Sequence, residues 1–335
     1  MTPRISDFGT MPDGTTVQCI ALSNGGMLRA NVLTYGVRIQ DLRLKGFDYP
    51  LVLGSPKLEP YLGPMKYFGA LVGRFANRIA NGQFTLDGQT YHLPRTWAGK
   101  HALHGGPGGT WQRAWSIDIV SDTSVSFTLT LADGDMGFPG ELAIRATVSL
   151  DDHNALGFDV TATTTAATPC SFSHHGFFNL DGTADITSHT LQANALESLA
   201  VDDELIPTGE TLPVDNSILD FRQASVLGKR GLDHNLCFPV DEQKLHTVAC
   251  LHSPKSGLTM RVETNQPGLQ VYDGGYFPET GIANGLEDRI YGPFAGMALE
   301  PQAWPDAPNH DHFPSAILWP GETYRFQTRY VFEQT

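Results

Sequence analysis

Apolar and polar residues alternate in short runs along most of the chain, and the runs are broken by turns rich in Gly and Pro. Helical periodicity is scarce. Leu142–Leu150 alternates throughout, 151–154 reads as a turn, and 155–163 alternates again, which predicts two antiparallel strands. Asp87-Gly88 supplies the positive φ angles of a tight type I′ turn and predicts a hairpin between Gln83–Leu86 and Gln89–His92. Ser124–Leu131, 257–263, 269–272 and 323–332 carry the same period of two. A strand of that period has one apolar face, and packing sheet on sheet buries such faces. No low-complexity linker and no short-period repeat divides the sequence, so the expectation is an all-β chain of packed antiparallel sheets forming one domain over residues 1–335. Alternation alone does not choose between a sandwich and a barrel.

Composition narrows the partners. Hydrophobic residues make up 41% and charged residues 17%, enough for a large core and without the signature of disorder. Lys and Arg total 22 against 36 Asp and Glu, a net charge of −14, so phosphate backbones and anionic membranes are repelled and no nucleic-acid or membrane partner is expected. Residues 1–24 hold no basic segment followed by an apolar stretch, and no run approaches the roughly 20 apolar residues that span a bilayer. A cytoplasmic protein, monomeric or homodimeric, is expected. Cys19, Cys170, Cys237 and Cys250 form no C-x-x-C pair and read as free, mostly buried thiols.

Several residues stand out as chemistry. His104 lies in Leu103-His104-Gly105-Gly106, where the two glycines remove side-chain bulk and let a ligand approach the backbone beside an imidazole; the alternative is an ordinary loop histidine. His174 and His175 are adjacent, so on an extended chain one faces a cleft and its neighbour faces away. Glu300 follows the apolar run 295–299 and is placed at the end of a buried strand, where desolvation would raise its pKa toward that of a working base; otherwise it is a surface carboxylate. Asp233-His234 reads as an orienting acid or as a turn. His310 and His312 are a possible metal pair without a marked third ligand. Dinucleotide, P-loop, serine-hydrolase and zincin motifs are absent from the sequence.

Taken in order, Gly73-Arg74-Phe75-Ala76-Asn77-Arg78-Ile79, Leu103-His104-Gly105-Gly106, His175-Gly176-Phe177-Phe178-Asn179-Leu180, Gly231-Leu232-Asp233-His234-Asn235 and Leu299-Glu300-Pro301-Gln302 resemble the signatures of the aldose 1-epimerase, or galactose mutarotase, family. The resemblance spans nearly the whole chain. It implies a large antiparallel β-sandwich of the galactose mutarotase type and a monosaccharide substrate whose ring is opened and reclosed without cofactor or metal. By motif it implies Glu300 as general base, His175 as general acid and His104 near the ring oxygen, with Asn77, Arg78, Asp233 and Gln270 holding sugar hydroxyls. Trp304, Phe177 and Tyr276 are candidates for stacking on the sugar. The family usually has Asn before the catalytic His and a hydroxyl residue after it; here His174 and Gly176 stand in those places, which implies a different network around the acid and leaves open a shared role for His174. Two other readings remain: a hexose-6-phosphate 1-epimerase, which needs Arg74, Arg78 and Arg95 to converge on a dianion, and a non-catalytic carbohydrate-binding module on the same fold. A glycosidase would want a second carboxyl group beside Glu300.

Overall fold

A computed structural model describes residues 4–239 and 244–334. All the predicted strands are present: Leu142–Leu150 pairs with Ala155–Thr164 in continuous antiparallel register, and Asp151 Oδ1 closes the turn between them by accepting the His153 and Ala155 N–H groups at 2.9 Å. Those two strands belong to a nine-stranded sheet, in which the last strand, Tyr324–Gln334, lies between Ala155–Thr164 and Leu258–Thr264. A four-stranded sheet is formed by the segments Arg4–Thr10, Thr16–Ser23, Leu28–Leu33 and Arg38–Leu44. Among the described residues the helical pieces are 3₁₀ turns of three or four residues, and no helix is long and apolar enough to cross a membrane.

The sheet that positions the site has six strands, in the order Phe177–Phe178, Met297–Gln302, Gly268–Tyr272, Asp233–Cys237, Glu197–Val201, Pro207–Pro213. Period-two geometry divides its residues. Leu236, Leu269, Val271, Met297 and Leu299 enter a core shared with Val125, Phe127, Ile144 and Phe326 of the nine-stranded sheet and Ile20, Val32 and Ile39 of the four-stranded one. Each such side chain stabilises the fold by about 1.5–3 kcal/mol. The alternate positions, Asp233, Asn235, Gln270, Tyr272, Glu300 and Gln302, stand on the other face. Both large sheets have open strand orders and share a core, which is a sandwich rather than a barrel.

Candidate functional site

Cross-strand register assembles the polar floor of a cleft. Asn235, Gln270 and Glu300 lie directly opposite one another across three strands. Gln270 Nε2 donates to Asp233 Oδ1 at 2.6 Å, and Arg78 donates to Asp233 Oδ2 at 2.9 Å. Arg78 comes from a short ladder in which it pairs with Leu103, and this sets Asn77 against His104. The Asn77 N–H donates to His104 Nδ1 at 3.0 Å, while the His104 N–H donates to the Asn77 carbonyl, also at 3.0 Å. Gly105 is required in this crossing: its φ is +77°, and a Cβ there would sit 2.1 Å from the Gly73 carbonyl oxygen. Its missing side chain thus makes room for backbone, and not for a ligand as the sequence suggested. His175 ends Ser173–His175, which pairs with Ala70–Val72. The resulting cavity, of about 280 Å³, has Glu300, His175, His104, Asp233, Gln270, Asn77 and Arg78 among its lining residues. The seven residues to which the family resemblance gives roles meet in one place.

Burial sets the electrostatics. Glu300 is 2% exposed and lies inside a fully buried strand, not at its end as expected. Desolvation, reinforced by the Asp233 charge, pushes its carboxyl well above the usual range, against a smaller opposing pull from Arg78. His175 Nε2 is 3.7 Å from Glu300 Oε1. Desolvation lowers the His175 imidazole to about 4. His104 is lowered well below its ordinary value, first by desolvation and then by His175, Arg78 and Lys66. A raised acid beside a lowered base has a simple consequence: between the two values the pair Glu300 and His175 holds one proton between them, as ion pair or as neutral pair.

His174 is the neighbour that faces away. Its ring is fully buried, stacked on Phe158 at 4.3 Å and edge-on to Tyr330 at 5.5 Å, and burial pushes its pKa down to about 3. A Cβ on residue 176 would lie 2.4 Å from His174 Cε1, so the two departures from the family pattern are one structural exchange: the imidazole occupies space that only Gly176 leaves free.

Other expectations are corrected. Trp304 does not line the cleft; its indole N–H donates to the Pro267 carbonyl at 2.9 Å and its ring packs on Phe313. Arg74 is buried and donates to Pro139 O and Gly140 O, and Arg95 donates to Asn81 O, so neither joins Arg78. His312 Nε2 donates to the Gly209 carbonyl at 2.7 Å and His310 lies 3.2 Å from Asp306, outside the cleft. Phe177 and Tyr276 do line it, with Tyr67, Trp97, Tyr272 and Phe277, which the sequence reading missed. Tyr67, Trp97 and Phe277 sit in loops or turns without a period, whereas Tyr272 ends the strand Gly268–Tyr272 on the same face as Gln270, where the alternation could have marked it.

Ligand atoms of His104, His175 and Glu300 all lie within 4.8 Å of one another, the spacing of a metal triad. The donor set does not fit one. His104 Nδ1 accepts a backbone N–H, so the imidazole proton is on Nε2, and no lone pair is left there for a cation. Two ligands remain, short of what a resident divalent ion requires. Turnover should therefore survive exhaustive chelation; a stoichiometric metal whose removal abolishes activity and whose return restores it would refute this.

Comparison with known proteins agrees with the geometry. The pattern that defines the aldose 1-epimerase family matches residues 18–331. The chain is 38% identical to galactose mutarotase of Homo sapiens, covering 97% of both chains, and 33% identical to aldose 1-epimerase of Escherichia coli strain K12, covering 96% of both. The crystal structure of an aldose epimerase homologue from C. elegans superposes with a TM-score of 0.88 at 30% identity, over 95% of this chain and 99% of that one.

Proposed function

The chain belongs to the aldose 1-epimerase family, and from that premise we propose that the cleft holds one free aldose with its anomeric hydroxyl at Glu300 and its ring oxygen at His175. The enzyme is an isomerase that interconverts α and β anomers. One observation carries the residue assignment. The two oxygens that must exchange protons are bonded to the same carbon, so acid and base must flank a single edge of the ring, and a buried Glu and His 3.7 Å apart do so.

Transfer of the shared proton from Glu300 to His175 gives the ion-pair form, in which the Glu300 carboxylate takes the O1 proton as His175 delivers one to O5, and the C1–O5 bond breaks to leave an aldehyde. The pair is now neutral. Rotation about C1–C2 presents the other carbonyl face, O5 attacks it, and both protons return. The cycle ends with the enzyme unchanged, with no redox step and no need of a cofactor. His104, its proton held on Nε2 by the Asn77 N–H, is a fixed hydrogen-bond donor beside the ring. Asp233, Arg78, Gln270 and Asn77 supply acceptors and donors for the remaining hydroxyls. Polarimetry on freshly dissolved α-glucose and α-galactose tests the reading directly, since a binding module would leave the relaxation rate unchanged.

Neutral aldoses are preferred over 6-phosphates in this reading. Arg78 is neutralised by Asp233, Arg74 and Arg95 are engaged elsewhere, and Lys66, whose ammonium lies 4.9 Å from the Tyr67 ring centroid, is the remaining cation among the lining residues. A kcat/KM for glucose 6-phosphate above that for glucose or galactose would reject it. We also read residues 1–335 as one domain, because a single apolar core draws on all three large sheets. A cytoplasmic location is favoured by four free thiols, two of them buried.

A further inference from the structure

Arg78 is the one guanidinium in the cleft, and its side chain is 6% exposed. Its edge donates to Asp233 at 2.9 Å and, at 3.4 Å, to Asn77 Oδ1, but its Nε has no hydrogen-bond partner. Hydrogen bonds at one end leave the plane of a guanidinium free to turn. What faces that plane is Trp97, whose ring centroid is 4.3 Å from Arg78 Cζ.

Trp97 is itself held from two directions. Its indole N–H donates to the Glu204 carbonyl at 3.0 Å, and Glu204 lies between Glu197–Val201 and Pro207–Pro213, the outer strands of the sheet that carries Asp233. The Glu204 carboxylate also receives Lys100 Nζ and, at 3.2 Å, His101 Nε2. His101 Nδ1 accepts the Asn81 N–H at 2.9 Å, so the ring proton is on Nε2 and points at Glu204. Segment 97–101 is folded back on itself by hydrogen bonds between Trp97 and His101. The indole is thus a plate fixed to the same sheet as Asp233, with Arg78 held between plate and carboxylate.

We propose that Trp97 is a positioning residue for substrate binding: its face fixes the Arg78 guanidinium in the plane in which it meets both Asp233 and a sugar hydroxyl. This rests on the reading of Arg78 as a group that holds the sugar. Trp97 touches none of the atoms that exchange protons, so its contribution falls on binding and not on the chemical step.

The test is a KM-against-kcat split in anomer exchange, with galactose affinity titrated by NMR in parallel. Trp97→Ala should raise KM and Kd about tenfold while kcat stays within about twofold. Trp97→Phe, which keeps a ring face and loses the Glu204 bond, should recover most of the affinity. Trp97→Leu, which fills the volume without a ring, should behave as Trp97→Ala does. With Arg78→Gln already present, Trp97→Ala should add little, because there is no guanidinium left to hold. An unmoved KM, a loss confined to kcat, a Leu variant equal to wild type, or full additivity with Arg78→Gln would each overturn the proposal. Absence of anomer exchange in the wild type would sink the functional reading instead, a result separate from exchange with an unmoved KM.

Discussion

Glu300→Gln lowers kcat by about 10²–10⁴ while sugar affinity changes only a few-fold. The amide keeps the size of the side chain and a hydrogen-bonding group toward the anomeric hydroxyl, but it cannot take a proton. The same substitution should hold Tm or raise it. Desolvation and Asp233 push the Glu300 carboxyl well above its unfolded value of 4.5, so over that interval the folded state binds the proton more tightly than the unfolded chain. Stability from this group is then full below about 4.5 and is lost as pH rises toward the raised folded value. Gln removes that loss, so the gain in Tm should grow as pH rises above about 4.5 toward the raised folded value. The alkaline limb of the kcat/KM profile, where the Glu300 and His175 pair gives up its single proton, should vanish in the residual activity. A variant with wild-type kcat, or one whose Tm falls as pH rises across that window, would refute both the base assignment and the electrostatic account of the site.

The sequence made the strands legible because their two faces differ. Leu142–Leu150 and Ala155–Thr164 each send alternate residues to a core, and a period of two is visible without knowing the partner strand. Pairing was not visible: nothing local says that Tyr324–Gln334 lies between Ala155–Thr164 and Leu258–Thr264, since the contacts are long-range and antiparallel strands of similar composition are interchangeable by pattern. The residues proposed to act on the sugar were legible for a different reason, because His104, His175 and Glu300 each sit in a motif. The aromatic walls were not, since Tyr67 and Trp97 lie in turn-rich segments whose side-chain directions are set only by tertiary contact. Trp304 was misplaced by the same limit: it follows the buried strand by two residues, but its indole N–H is drawn to Pro267 and it is not among the residues lining the cleft. Gly176 shows that a departure can be read once its neighbour is seen.

His175→Asn abolishes most turnover, by about 10²–10⁴ in kcat, whereas His174→Asn leaves kcat near wild type and lowers Tm. The two imidazoles are one residue apart and differ in direction: His175 points at Glu300, and His174 is packed among Phe158, Phe178 and Tyr330 with neither ring nitrogen hydrogen-bonded. Loss of the His175 imidazolium should also remove the acid limb near pH 4, where the pair gains a second proton. At position 174 the smaller Asn gives up stacked contacts and brings an amide into the same apolar pocket, which destabilises by about 1–3 kcal/mol without touching the sugar. Gly176→Ser then discriminates further. Alone it drives a Cβ into the His174 ring, 2.4 Å from Cε1, and should be strongly destabilising; combined with His174→Asn it should be nearly neutral, because the space the imidazole filled is free. Additive losses in the double variant would mean that the fit of the His174 ring into the space Gly176 leaves free is not the reason for either residue. If His174→Asn abolished turnover and His175→Asn left it intact, the acid would be the other imidazole, and the register of Ser173–His175 against Ala70–Val72 would be wrong by one residue.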